Sequence, residues 1–227
     1  MELKIGILGG MGPYATLDFI RHIYRLTPGI RVDSDHIRII SDINVKIPSR
    51  TRAVLYDEES PVKMMIESIE GLAALGASFV AVPCNSAHFF YDLVNENISI
   101  EWINMLEMVA KKVSLTESHG TLILGGYVTI SKKIYDQYIK NSCYLDNDGN
   151  DLVFQLIEEL KLANGQHLNT TKKVIDLCNK EKAKTIVLAC TELTEVADLF
   201  RQNGFHVIDS NLIYAEGLVR LTKLGHV

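Results

Sequence analysis

Several features that would narrow the role of this chain at once are missing from it. No apolar run approaches the ~18–20 residues needed to cross a bilayer, no block of like charges runs along it, and none of its four cysteines (Cys84, Cys143, Cys178 and Cys190) forms a CxxC pair. The first absence argues against a membrane-spanning helix. The second removes the electrostatic footprint of a nucleic-acid or membrane-surface binder, since 23 Lys and Arg stand against 28 Asp and Glu for a net charge of −5. The third argues against a structural metal site and leaves free thiols rather than a disulfide framework. No basic n-region and apolar h-region precede the first strand signal at Leu3–Leu8, so a cytoplasmic protein without a signal peptide is expected.

The 227 residues are 47% hydrophobic and 22% charged, enough for one large globular domain or two smaller ones. Two stretches stand out: Val80-Ala81-Val82-Pro83-Cys84-Asn85-Ser86-Ala87-His88 and Ile186-Val187-Leu188-Ala189-Cys190-Thr191-Glu192. Each is an apolar run that ends in a cysteine followed by small polar residues and then helical spacing. Each run reads as a buried strand with its thiol at the carboxyl end, where open parallel α/β sheets bind ligands.

Strands alternate with helices along the rest of the chain, the pattern of parallel sheets with crossover helices. Strand signals fall at Lys4–Leu8, His36–Ile43, Phe79–Val82, Ser99–Asn104, Thr121–Leu124, Thr185–Ala189 and Phe205–Ile208. Helical spacing covers Tyr14–Arg25, a segment opened by Ser60 and Pro61 and running to Leu75, Ala87–Asn95, Leu106–Val113, Val128–Tyr138, Leu152–Ala163 closed by Asn164-Gly165, Thr170–Lys180 and Leu212–Leu224. Lys46–Arg52 reads as a polar loop with three cations, and Tyr144–Gly149 as a turn. A faint internal repeat is present. Ile7-Leu8-Gly9-Gly10 matches Ile123-Leu124-Gly125-Gly126, 116 positions on, and Cys84 matches Cys190, 106 positions on. Two similar α/β domains with parallel-rich sheets follow, residues 1–102 plus 209–227 and residues 103–208, with an active site expected in the cleft between them and one thiol on each wall.

Two facing thiols suit proton transfer on opposite faces of one carbon: a thiolate removes a proton and a thiol returns one to the far side. A helix N-terminus beside each cysteine is expected to lower its pKa. Hydrogen-bond donors to the developing carbanion are supplied by Asn85, Ser86, Thr191 and the amides after Gly9. Buried cysteine is more often only a small hydrophobe, the reading given to Cys143 and Cys178. Gly10-x-Gly12-x-x-Ala15 also matches a dinucleotide fingerprint, but that reading leaves both cysteine motifs unexplained.

The motifs GGMGPYAT (Gly9–Thr16), PCNSAH (Pro83–His88) and CTE (Cys190–Glu192), in this order, resemble the aspartate/glutamate racemase family, its aspartate-racemase-like branch. The resemblance implies an isomerase that inverts the α-carbon of an amino acid, aspartate first, glutamate or a broader set next, with no pyridoxal phosphate and no metal. It implies Cys84 and Cys190 as opposing acid and base. Met11, Gly12, Asn85, Ser86 and Thr191 would bind the substrate backbone, and Arg50 and Lys161 would serve as cations near it. Homodimers are common in such a family. Cousins that use one cysteine, of the maleate isomerase or arylmalonate decarboxylase type, are the alternative enzymes, and a non-catalytic amino-acid-binding or regulatory protein that keeps the fold is the alternative from another class. The chain departs from the pattern at Gly125–Thr129 (GGYVT), where an LATxGT-type loop is usual; Gly126 falls on its first threonine, so a substrate hydroxyl contact is expected to be missing.

Overall fold

The computed structural model describes residues 3–116, 120–162 and 167–224. The chain packs as two compact units, Met1–Met105 with Asn211–Val227, and Leu106–Ser210. Each is a parallel sheet with helices on its faces, so the fold is mixed α/β with two parallel sheets.

In the first unit β1 (Ile5–Gly9) lies between β2 (Ile39–Ile43) and β3 (Phe79–Ala81), in the order β2-β1-β3. All five residues of β1 are buried, which is why its sequence is a continuous apolar run rather than an alternation. Parallel neighbours need crossover connections. These are α1 (Pro13–Leu26) and the pair α2 (Arg50–Tyr56) and α3 (Val62–Ala74); α4 (Tyr91–Asn95) follows β3. Helix α1 starts on Pro13, whose missing N–H would be unpaired there in any case, and buries Ala15, Thr16, Phe19 and Ile23 along one stripe. The last helix, α10 (Ser210–Leu224), brings the chain back to this unit. Its Tyr214 is fully buried, stacks on Phe19 at 5.4 Å, donates to the Ile103 carbonyl at 2.5 Å and accepts from the Val82 N–H at 3.3 Å. One phenol thus ties the C-terminal helix to the segment that carries Cys84.

In the second unit β4 (Thr121–Gly125), β5 (Ser142–Cys143), β6 (Thr185–Ala189) and β7 (His206–Asp209) form a sheet in the order β5-β4-β6-β7. The helices are α5 (Met105–Ser114), α6 (Tyr127–Ser131), α7 (Asn147–Lys161), α8 (His167–Lys180) and α9 (Ala197–Gln202). Leu122, Leu124, Ile186 and Leu188 share a core with Val153, Leu156, Ile157 and Leu160 of α7 and Val174, Ile175 and Cys178 of α8. Cys178 is fully buried and its thiol is pushed up to about 12 by that burial, so it packs rather than reacts. No helix among the described residues is long and apolar enough to cross a membrane.

The structure departs from the sequence reading where a polar side chain outweighed pattern. The polar loop at Lys46–Arg52 becomes the start of α2, because the Ser49 hydroxyl accepts from the Arg52 N–H at 3.3 Å and caps it. The turn at Tyr144–Gly149 is likewise a cap, with the Asp146 carboxylate accepting from the Gly149 N–H at 2.8 Å and α7 opening at Asn147. Ser99–Asn104 forms no strand; it pairs with β3 only through a bridge between Val80 and Trp102. The helix expected over Val128–Tyr138 ends at Ser131, before Lys133 adopts a left-handed conformation at φ 47°. The two-residue strand β5 carries no sequence signal. The expected stop at Asn164-Gly165 lies outside the described residues.

The internal repeat is built into the sheets. Ile5 of β1 pairs with Phe79 and Thr121 of β4 pairs with Thr185, so the central strands are offset by 116 positions and the strands leading to the cysteines by 106. The same shift of 106 relates the six-residue 3-10 turns Asn85–Phe90 and Thr191–Val196, and then α4 and α9. Each unit therefore presents a cysteine five residues beyond an equivalent strand position, in extended backbone, at the entry to a matching turn.

Candidate active site

In the first unit the site begins where β1 ends. Gly10 adopts φ +90°, and a Cβ there would lie 2.5 Å from the Asn44 carbonyl carbon, so only glycine lets this loop press against the end of β2. The Thr16 hydroxyl accepts from the Gly10 N–H at 3.1 Å and donates to the Gly12 carbonyl at 2.8 Å, which fixes the loop around the buried Met11. Arg50, at the first position of α2, donates to the Pro48 carbonyl at 3.1 Å and to the Met11 carbonyl at 3.4 Å, while its Nε is buried with no partner. Met11, Gly12 and Arg50 are thus brought together. Helix α2 also packs against the turn that follows Cys84. Arg50 is half-buried at a helix start rather than free in a loop, and two of its N–H groups already serve backbone carbonyls.

Cys84 is buried, as are Asn85 and His88, while Ser86 is half-exposed. His88 bonds to the Cys84 carbonyl through Nδ1 at 2.9 Å, and its Nε2 receives the Met105 N–H at 3.1 Å. A backbone N–H can only donate, so Nε2 accepts and Nδ1 carries the proton. Burial drives the His88 pKa down to about 4, against the smaller opposing pull of the Cys84 carbonyl. The ring is a neutral brace between the cysteine turn and the start of α5, not a base. A consequence follows for stability. The unfolded chain takes up a proton near pH 6.5 that the folded chain refuses until about 4, so stability is retained above the unfolded value and falls as pH drops through this window. Denaturant titrations should lose about 1 kcal/mol per pH unit between pH 6.5 and 4, and His88→Gln should flatten that slope.

In the second unit Cys190 is half-exposed at the end of β6 and Thr191 beside it is buried. The Cys190 thiol donates to Glu192 Oε2 at 3.0 Å, and the Thr191 hydroxyl donates to the same oxygen at 3.2 Å. Burial pushes the Cys190 pKa well up, the charge and hydrogen bond of Glu192 push it further, and Lys161 opposes both without prevailing. The expected lowering by a helix N-terminus is overturned here. The element after Cys190 is a 3-10 turn rather than an α-helix, and an acidic side chain sits in its first turn. Lys161, at the last position of α7 and half-exposed, bonds to Glu158 at 2.7 Å. Burial draws its pKa down, but Glu158, Glu192 and Cys190 together outweigh that, so it remains a cation beside the thiol.

Glu192 is the candidate site residue that the sequence reading left out. Its signal was its place in the CTE motif, two residues after the thiol; what it does could not be known until the 3-10 turn folded its carboxylate back on Cys190. The second unit thus holds a protonated thiol, a carboxylate able to take that proton, a hydroxyl donor and a cation. The first holds a thiol, an amide side chain, a glycine-shaped loop and a guanidinium.

Comparison with known proteins gives a consistent result. The family model described as Asp/Glu/hydantoin racemase matches residues 8–218. The broad specificity amino-acid racemase RacX of Bacillus subtilis is 28% identical over 95% of this chain and 96% of its own length. Among solved structures, the aspartate racemase of Picrophilus torridus superposes with a TM-score of 0.81 at 26% identity, covering 97% of this chain and 99% of that one. A glutamate racemase from Thermus thermophilus, at 17% identity and a TM-score of 0.69, covers 99% of this chain and 82% of that one and shares the fold.

Proposed function

We propose that this chain, which belongs to the Asp/Glu/hydantoin racemase family, inverts the α-carbon of a free amino acid by a two-base reaction between Cys84 and Cys190, with no cofactor. The observation that carries the reading is the repeat. Two thiols occupy the same position in two equivalent units, each at a strand end followed by polar residues of matching spacing.

One sulfur, as thiolate, takes the α-proton, and the electron pair left on carbon is stabilised as an enediolate by donors at the substrate carboxylate. The other sulfur, as thiol, gives its proton to the opposite face. Asn85, Ser86, Thr191 and the loop at Met11 and Gly12 supply those donors, and the cations Arg50 and Lys161 add charge stabilisation. Cys190 starts as the acid. In the reverse direction it must become the base, and Glu192 is placed to receive its proton at 3.0 Å.

The substrate is a free amino acid, with aspartate the first candidate and a broader set close behind. Two features favour breadth. Arg50 has already spent two N–H groups on carbonyls, which weakens its grip on a side-chain carboxylate. Gly126 offers no hydroxyl. The test is incubation with L-aspartate, L-glutamate and a panel of other L-amino acids in deuterated buffer without added cofactor. D-product carrying deuterium at the α-carbon is the expected result. No D-product and no deuterium uptake from any member would overturn the reading in favour of a one-cysteine relative or a binding protein.

A further inference from the structure

Four residues past each thiol, a side chain ties the cysteine turn to the chain segment beside the cysteine's own strand. In the first unit it is His88, which spans from the Cys84 carbonyl to the Met105 N–H. In the second it is Thr194, whose hydroxyl donates to Asp209 Oδ1 at 3.0 Å. The receiving ends correspond as well. Val80 bridges Trp102, three residues before Met105, and Ile186 pairs with Val207, two residues before Asp209. Val80 and Ile186 are themselves 106 positions apart, the offset of the two cysteines. The brace is therefore part of the repeat, but its chemistry differs: a neutral ring meets an amide in one unit, and a hydroxyl meets a carboxylate in the other.

Asp209 is 2% exposed and closes β7. It pairs with Leu188, two residues before Cys190, so it is anchored in the sheet beside the strand that delivers the thiol. Ser210 after it donates to the Leu188 carbonyl at 2.7 Å and pins the same point. A fully buried phenol, Tyr135, feels both groups: burial raises its pKa most, and the charges of Tyr144, Asp209 and Cys190 add to that. The turn, by contrast, needs an anchor. A 3-10 run of six residues is long for that geometry, and its hydrogen bonds are poorer than those of an α-helix. Side chains three apart in such a turn eclipse, so Thr191 and Thr194 share one edge. On that edge the Thr191 hydroxyl meets Glu192 Oε2 at 3.2 Å, while Thr194 meets the fixed Asp209. Glu192 stands between the two in sequence, and its 3.0 Å reach to the Cys190 sulfur depends on where this edge is held.

Resting on the racemase reading, we propose that Thr194 is a positioning residue of the reaction: bonded to Asp209, it holds the turn so that the Glu192 carboxylate stays on the Cys190 proton. It acts through Glu192 and touches no reacting atom. Released from Asp209, the turn would let the carboxylate swing away from the thiol, and a misplacement of about 1 Å is enough to cost catalysis up to about a hundredfold.

The experiment compares Thr194→Val, which keeps the shape and removes the hydroxyl, with Thr194→Ser, which keeps the hydroxyl, and adds Asp209→Ala, Glu192→Gln and the double variant Thr194→Val/Glu192→Gln. Two quantities are read in each: racemisation of the L-amino-acid panel, and the pH at which iodoacetamide alkylates Cys190, located by peptide mass spectrometry. For the best substrate of the panel, Thr194→Val should lower kcat by about tenfold with KM changed by no more than about twofold. Its Cys190 should be alkylated at lower pH than in the wild type, in the direction of Glu192→Gln, and Asp209→Ala should shift the profile the same way. Thr194→Ser should bring the rate to within about threefold of the wild type and restore the profile. In the Glu192→Gln background Thr194→Val should change neither quantity, because its effect passes through that carboxylate. An unshifted alkylation profile in Thr194→Val, or an equal further loss in the double variant, would overturn the positioning role and leave the racemase reading intact. Racemisation of nothing, with the alkylation shift present in Thr194→Val and cancelled by Glu192→Gln, would overturn the racemase reading and keep the brace.

Discussion

Cys84→Ser and Cys190→Ser should each reduce racemisation by about a thousandfold or more, the size of effect seen when one member of an acid–base pair is removed. A serine hydroxyl keeps the shape but is too weak an acid and base at neutral pH to replace a thiol. Each variant should keep half of the chemistry. The sulfur that remains can still take the α-proton of the enantiomer facing it and, after exchange with solvent, return it to the same face. The two variants should therefore incorporate deuterium into opposite enantiomers without inversion. Chiral chromatography with mass spectrometry reads both quantities in one sample. Full racemisation by either single variant would refute the opposing-thiol assignment, and exchange of the same enantiomer by both would refute the division of faces between them.

Glu192→Gln should produce the second largest effect, about a hundredfold loss of racemisation together with a change in pH dependence. The carboxylate accepts the Cys190 thiol proton at 3.0 Å and, after burial, is the main cause of the raised pKa. Removing its charge removes that contribution, so the Cys190 pKa should fall and alkylation by iodoacetamide should begin at lower pH than in the wild type. The racemisation profile should lose its alkaline limb earlier, because the variant holds Cys190 as a thiol over a narrower range. The drop in rate reflects the lost proton acceptor. Lys161→Met should act in the opposite sense on reactivity, since Lys161 holds the pKa down. Unchanged alkylation in Glu192→Gln would mean that burial alone protects Cys190.

Much of the site was legible without coordinates because its parts are local. An apolar run ending in cysteine and a polar residue specifies a buried strand and the thiol at its end, and both such runs fold as read, with β6 spanning Thr185–Ala189 as its pattern implies. The Gly9-Gly10 turn and Pro13 at the start of α1 are equally local, since backbone freedom and a missing N–H act within a few residues. The repeat between the halves was visible at the level of short motifs, and the strand register carries it through both sheets.

What sequence alone could not determine were the contacts that depend on which chain segments meet. Arg50 and Met11 are 39 positions apart, and only the packing of α2 beside the first loop turns Arg50 toward backbone carbonyls. His88 shares the CNSAH stretch with Cys84 but is made a neutral brace by the N–H of Met105, 17 positions on. Whether a thiol after a strand is acidic or stubbornly protonated depends on the element that follows and on the charges around it. Composition and periodicity implied a helix with its favourable dipole; the fold supplied a 3-10 turn, a partly buried sulfur and the carboxylate of Glu192. Strands, turns and thiol positions were thus determined by short-range stereochemistry and hydrophobic pattern. The protonation state of Cys190 and the commitments of Arg50 were decided by tertiary structure, because burial and electrostatic fields belong to neighbours in space.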